Sequence, residues 1–241
     1  MTASIVDLNV RSAAKEALVA PQIAWIERYK VRNPGAQDVR LYLYLKRGLD
    51  ILISVAALPF LLPLFLLCAL LIKLDSPDGP IFFIQERTGK HGRRFKMYKF
   101  RTMVRNAEEL KKKLVATNAD GELTRPLKLD YDPRITRVGR ILRKTSLDEL
   151  PQIINILRGE MSFVGPRPTS FGLKSYSLWH TERLEVTPGL TGFWQLSSRG
   201  DTDFDNWLRY DVLYIQRRCL MLDLEILFRT FSSVLVAKGA R

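Results

Sequence analysis

Asp148 and Glu149 stand side by side in Ser146-Leu147-Asp148-Glu149-Leu150-Pro151-Gln152. Apolar Ile153, Ile154, Ile156 and Leu157 follow on what would be one buried helix face, and Gly159 is the stop. Proline is tolerated only in the first turn of a helix, so Pro151 predicts a helix start here. Asp148 is then a candidate N-cap, and both carboxylates lie at the positive helix end. That end also binds phosphate. An ionised carboxylate beside bound phosphate can attack phosphorus and form an aspartyl-phosphate type of intermediate. A simpler reading uses the same residues: Ser146 and Glu149 match the S-x-x-E capping box, and acidic residues are common in any first helical turn.

Two further segments supply positive charge. In Gly165-Pro166-Arg167-Pro168 the prolines fix the backbone and aim a guanidinium, whose planar fork suits phosphate oxygens. In Tyr98-Lys99-Phe100-Arg101-Thr102-Met103, Lys99 and Arg101 are two residues apart and share a strand face. A solvent-facing turn arginine and a charged edge strand are the plainer accounts. His91 and His180 are the only histidines, so a multi-histidine zinc site is excluded, and Cys68 and Cys219 form neither a CxxC pair nor a disulfide framework. Chemistry here rests on carboxylates and arginines.

The elements that must position these residues begin with an uncharged run of 22 residues, Ile51 to Ile72, interrupted by Pro59 and Pro63. As a helix it would reach about 33 Å, close to the ~30 Å hydrocarbon core of a bilayer. Basic residues crowd both flanks, from Arg28 to Arg47 and from Lys73 to Arg101, and basic flanks resist translocation. A helix broken near its centre returns both flanks to one side, so the run predicts a re-entrant hairpin. A cleavable signal peptide is not expected behind so charged a leader. Downstream, Ile81 to Arg87 and Phe95 to Arg101 read as a β-hairpin, Asn106 to Val115 as a helix, and Thr117 to Asp130 as a polar loop. Asp132 to Arg143, with Ile135, Val138, Ile141 and Leu142, reads either as a surface amphipathic helix or as a solvated basic face. Further amphipathic stretches follow Asp203. Leu220 to Val236 contains Asp223, Glu225 and Arg229, which argue against a second span.

The formal charge is +13, from 38 Lys and Arg against 25 Asp and Glu, which calls for an anionic partner. No helix-turn-helix, zinc-finger or RNP pattern points to nucleic acid. The expected class is α+β: a mainly helical, membrane-associated catalytic domain with a small β-hairpin and surface amphipathic helices. Its expected parts are a leader over 1–40, a re-entrant membrane helix over 41–75, a catalytic domain over 76–200 and C-terminal amphipathic helices over 201–241.

Taken together, the motifs resemble the bacterial sugar transferase family of monotopic phosphoglycosyl transferases. They run from Lys46-Arg47-Gly48-Leu49-Asp50 through Gln85-Glu86-Arg87-Thr88-Gly89, Tyr98 to Met103, Asp132-Pro133-Arg134, Leu147 to Gln152 and Gly165 to Pro168. Thr187 to Gln195 and Asp211-Val212-Leu213-Tyr214 resemble its hexose-1-phosphate branch. The resemblance implies transfer of hexose-1-phosphate from a UDP-hexose, glucose or galactose favoured, to undecaprenyl phosphate, with release of UMP in the priming step of exopolysaccharide synthesis. It makes Asp148 the nucleophile and a magnesium ligand, Glu149 its acidic partner, and Arg143, Arg167 and Lys99 or Arg101 phosphate contacts. Mg²⁺ is also what a developing pyrophosphate charge calls for. It implies the cytoplasmic face of a bacterial inner membrane, lipid contact and no nucleic acid, and leaves a homo-oligomer open. Where some members carry a helix-breaking Ser-Pro, this chain has Leu62-Pro63, with Pro59 in addition. An acetamidosugar donor, or a non-enzymatic membrane-attached anion-binding protein, are the alternatives.

Overall fold

The computed structural model describes residues 24–31, 37–117, 132–172, 178–197 and 204–235. The Asn33-Pro34-Gly35 break, most of the 1–40 leader and the polar loop after Thr117 lie outside the described residues.

Helix α1, Gln37–Asp75, contains the whole apolar run, and its assignment is continuous through Pro59 and Pro63. The expected break into two helices is absent, although each proline still removes one helical N–H. Both ends of α1 dock on the rest of the chain. Near its start, the guanidinium of Arg47 donates to the carbonyls of Ile156 (2.5 Å) and Leu157 (2.7 Å). Lys46 pairs with Asp223 at 2.7 Å, and Asp50 accepts from the Ser162 hydroxyl and the Phe163 N–H, both at 3.1 Å. Near its end, Cys68 and Ile72 are buried with Phe100 and Leu142, and Asp75 accepts from the Val138 N–H at 2.9 Å. No residue from Val55 to Pro63 is buried.

Strands β1 (Phe82–Thr88) and β2 (Arg94–Phe100) form the expected antiparallel hairpin, Lys99 opposite Phe83. On its other edge β2 meets α4, Ile153–Arg158. Asn155 joins them: its side-chain oxygen accepts from Tyr98 N–H (3.1 Å), and its amide donates to Lys96 O (2.7 Å). Buried on both sides of that seam, Met97, Ile156 and Met161 form one apolar cluster. Gly159 ends α4 in the left-handed conformation, φ 77°, as its sequence position predicts.

Helix α2 covers Ala107–Thr117 and α3 covers Arg137–Lys144. The latter is shorter than the expected 132–143 helix, because Ile135 is bridged to Met103 and Thr136 caps the helix by accepting from Gly139 N–H. Val138 and Leu142 turn inward onto α1, while Ile141 stays 62% exposed. A two-stranded parallel sheet, β3 (Ser162–Val164) with β4 (Gly189–Thr191), has no counterpart in the sequence reading.

Helices α5 (Phe193–Ser197), α6 (Phe204–Arg217) and α7 (Leu220–Leu235) complete the chain. Leu213, Tyr214, Leu222 and Ile226 share one core with Val164, Phe193 and Ile26, the last from a short turn, Ala24–Arg28. Divisions at residues 40, 75 and 200 therefore cut through continuous packing. The end of the leader is structural: Trp25 packs edge-on against Phe193, and Arg28 pairs with Glu225 at 2.7 Å.

Candidate active site

Ser146 is the first surprise of the site. It adopts the left-handed conformation (φ 57°) and its side chain caps nothing, so the capping box does not form. Asp148 is not an N-cap either; it lies in the first turn of a 3-10 helix, Leu147–Gln152, that runs directly into α4. The tighter winding accommodates Pro151, and the buried Pro151 and Gln152 seat the turn against β2.

Glu149 receives two cations. Lys99 Nζ lies 3.0 Å from its Oε1, and the Arg167 guanidinium spans both oxygens, with Nη1 3.2 Å from Oε2 and Nη2 on Oε1. Burial opposes ionisation of Glu149, but the charges of Arg167 and Lys99 and their hydrogen bonds outweigh it and hold the carboxyl down at about 2. Asp148 differs in each respect. Among the described residues no hydrogen bond or ion pair engages its carboxylate. Burial pushes its pKa above the ordinary carboxylate value, reinforced by Glu149 and opposed by Lys99, Arg143 and Arg167. Two adjacent carboxyls are driven in opposite directions, a pattern that separates chemical roles.

Arg143 approaches from α3. Its Nε donates to the Thr102 hydroxyl at 2.9 Å, and it feels the charges of Asp148 and Asp132. Gly139 makes this approach feasible, since a Cβ there would stand 2.1 Å from the Thr102 carbonyl oxygen. Asp132 and Arg134 form a two-pronged ion pair beside it, at 2.7 and 2.9 Å. Arg101 does not join the cluster: its guanidinium donates to Ser76 O, bracing the turn after α1, where Lys73 also holds the Gly79 carbonyl at 2.9 Å. Arg101 lies one residue beyond the end of β2, so the two-residue alternation that would place it beside Lys99 does not extend to it.

Among the described residues no group of three His, Cys, Asp or Glu side chains could cage a metal. Mg²⁺ takes one or two carboxylates and completes its shell with water and phosphate oxygens, so the uncommitted Asp148 fits it as a single protein ligand. Sequence reasoning missed the buried pair Arg183–Asp211 (2.7 Å), in which Arg183 also donates to Arg167 O at 2.6 Å. It also missed the stacked Trp194 and Trp207, 4.8 Å between ring centres. Neither pairing is local enough to leave a spacing signal.

The model of the bacterial sugar transferase family matches residues 41–237. Undecaprenyl-phosphate galactose phosphotransferase of Salmonella typhimurium is 44% identical over 200 residues, 82% of this chain and 42% of that protein. Exopolysaccharide production protein ExoY of Sinorhizobium fredii is 44% identical over 198 residues, 81% of this chain and 87% of that protein. An Aeromonas hydrophila protein named for UDP-N-acetylgalactosamine and undecaprenyl phosphate is 38% identical over 208 residues, 83% of this chain and 46% of that protein. The chain thus spans under half of two of these relatives and most of the third. Matched over four-fifths of its length, with the motif carboxylates and cations gathered in one place, the chain belongs to the bacterial sugar transferase family and is an enzyme of the transferase class.

Proposed function

We propose that the protein transfers hexose-1-phosphate from a UDP-hexose to undecaprenyl phosphate through an aspartyl-phosphosugar. The observation that carries this reading is the contrast between Glu149, held by Lys99 and Arg167, and its uncommitted neighbour Asp148. An Asp148 carboxylate oxygen attacks the β-phosphorus, the bond from that phosphorus to the bridging oxygen breaks, and UMP leaves with the bridging oxygen. A phosphate oxygen of the lipid then attacks the same phosphorus and the Asp148 O–P bond breaks, giving lipid-linked hexose diphosphate. No proton needs to move between oxygens that are already ionised. Arg167 and Lys99 keep Glu149 anionic while their positive charge faces the transferring phosphoryl group, and Arg143 adds charge from the opposite element. Mg²⁺ held by Asp148 would neutralise developing pyrophosphate charge.

The site belongs at a membrane surface. The unburied stretch of α1 between buried Ser54 and Cys68 is 13 residues, Val55 to Leu67, about 20 Å of helix and too short to cross ~30 Å of hydrocarbon. Its ends are bonded to the same body, which favours a re-entrant helix with both flanks on the cytoplasmic face of the inner membrane. On α7, Met221 (67% exposed), Phe228 (74%) and Phe231 (65%) offer an apolar stripe for the same interface. Among the relatives, names citing galactose and exopolysaccharide favour a hexose donor, while the acetamidosugar named for the Aeromonas protein is the second reading.

The test is single-turnover trapping with a UDP-hexose labelled in the sugar and no lipid acceptor. The chain should retain labelled phosphosugar and release UMP, and Asp148→Asn should do neither. Retention of label by Asp148→Asn but not by Glu149→Gln would reverse the two roles, and a donor screen with the same assay decides between hexose and acetamidosugar.

A further inference from the structure

We infer that the cavity beside Arg167 receives the pyrimidine base of the donor nucleotide; the inference rests on the reaction proposed above. This cavity of about 270 Å³ is lined by Arg87, Arg167, Thr169, Phe171, Trp194 and Trp207, with Arg183 in its wall. It adjoins the carboxylate pair through a shared side chain, because Arg167 both lines it and grips Glu149. A nucleotide whose β-phosphorus lies at Asp148 therefore has a recess next to its phosphates.

The lining selects among the parts of a UDP-sugar. Hexose hydroxyls need acceptors, for which binding sites use carboxylates and amides, and among the described residues no Asp, Glu, Asn or Gln side chain lines this cavity. Uracil instead presents two carbonyl oxygens, one N–H that a Ser or Thr hydroxyl can accept, and a flat ring. It needs donors, which arginine, serine and threonine supply, and an aromatic surface to stack on. Both are present: Thr169 and Ser170 line the cavity, and so do Trp194 and Trp207, whose rings stack at an interplanar angle of 21°. Arginines in the wall are already placed for other duties. Arg167 bonds Glu149, Arg183 bonds Asp211 and the Arg167 carbonyl, and Arg87 donates to Gln85 (2.5 Å) and Pro168 O (3.3 Å). Held in these bonds, they leave the aromatic surface as the part of the lining suited to a planar ligand.

The experiment measures equilibrium binding to the full chain in nanodiscs by calorimetry, using UMP, ribose 5-phosphate and galactose 1-phosphate as separate probes. On the unaltered protein, UMP should bind at least tenfold more tightly than ribose 5-phosphate, since one stacked base accounts for about that much or more. Trp207→Ala should weaken UMP about tenfold, Trp207→Phe should recover most of that loss, and galactose 1-phosphate should bind all three proteins equally. Equal binding of UMP and ribose 5-phosphate to the unaltered chain overturns the inference without any variant having to fold. Loss of galactose 1-phosphate affinity in Trp207→Ala with UMP unaffected overturns it in favour of a sugar subsite. Failure of the reaction itself would show separately, as absence of UMP release from every UDP-sugar.

Discussion

Arg183 donates to the backbone carbonyl of Arg167 at 2.6 Å while its charge is matched by Asp211 of α6 at 2.7 Å, both side chains at most 5% exposed. The arginine that grips Glu149 is thereby fixed from behind by a helix that contributes nothing to the carboxylate pair itself. Removing Asp211 would leave a buried guanidinium without its counter-charge, which typically costs about 3–5 kcal/mol. Asp211→Ala should lower the melting temperature of the nanodisc-embedded protein, and Asp211→Asn should be milder. A melting temperature unchanged in both would show that the pair is stabilised by other groups.

Arg167→Lys keeps the charge but not the fork. Arg167 uses two nitrogens on two oxygens of Glu149, and a lysine ammonium is a single point that cannot reproduce that grip. Turnover should fall by at least tenfold at saturating donor, with folding intact by circular dichroism. Near-normal kcat would reduce Arg167 to a turn residue.

The carboxylate pair also sets a pH dependence. In the proposed reaction Asp148 must be ionised to attack phosphorus, and burial with the nearby Glu149 charge raises its pKa. Activity should therefore fall on the acid side at a pH higher than an ordinary aspartate would give, whereas Glu149, held at about 2, does not titrate there. Lys99 is one of the cations that lower the Asp148 pKa, so Lys99→Met should move the acid limb of kcat/KM upward by about one pH unit. An acid limb that stays put, or moves down, would remove Asp148 as the titrating group.

Topology is tested with single cysteines replacing Arg40 and Glu108, in a chain carrying Cys68→Ala and Cys219→Ala. Both should react with a cytoplasmic reagent and resist a periplasmic one in intact cells. Replacing Pro59 and Pro63 by leucine restores two helical N–H groups and should let part of the population span the bilayer, exposing position 40 outside and lowering activity. Periplasmic labelling of position 40 with both prolines present would require an ordinary spanning helix.

Asp50 offers a local test of how α1 is fastened. Asp50→Ala strands the Ser162 hydroxyl and the Phe163 N–H at a buried seam, at a cost of about 1–3 kcal/mol. Asp50→Asn keeps an acceptor and should recover part of the loss, measured as thermal stability in nanodiscs.

What the sequence made legible was local. The β-hairpin follows from two strand-like runs flanking a Gly-rich turn, and the end of α4 follows from Gly159. Adjacent carboxylates and a proline-framed arginine marked the site, and the fold brings Asp148, Glu149, Arg143, Arg167 and Lys99 together. Two local readings failed for one reason: Ser146 takes a left-handed backbone, so neither the capping box nor the Asp148 N-cap can form. What stayed hidden depends on partners far along the chain. The β3–β4 pair joins three-residue strands about 27 positions apart in sequence, and nothing within Ser162–Val164 announces a parallel partner. The Lys46-Arg47 and Asp50 motif carried no visible purpose until its three side chains were seen gripping Asp223, the end of α4 and the start of β3.

The double docking of α1 means that its apolar segment is no detachable tether. A chain shortened to begin after Asp75 would strip Cys68 and Ile72 from Phe100 and Leu142, and leave the last carbonyls of α4 without Arg47. Solubilising the enzyme by truncation should therefore yield aggregates, not a lipid-free catalytic fragment. In the membrane arrangement proposed above, α1 would meet the bilayer and also wall the hydrophobic interior, so that lipid or detergent bound to it would be thermodynamically coupled to unfolding of the site. Membrane composition would then become, through that one helix, a determinant of how firmly the carboxylate pair is held.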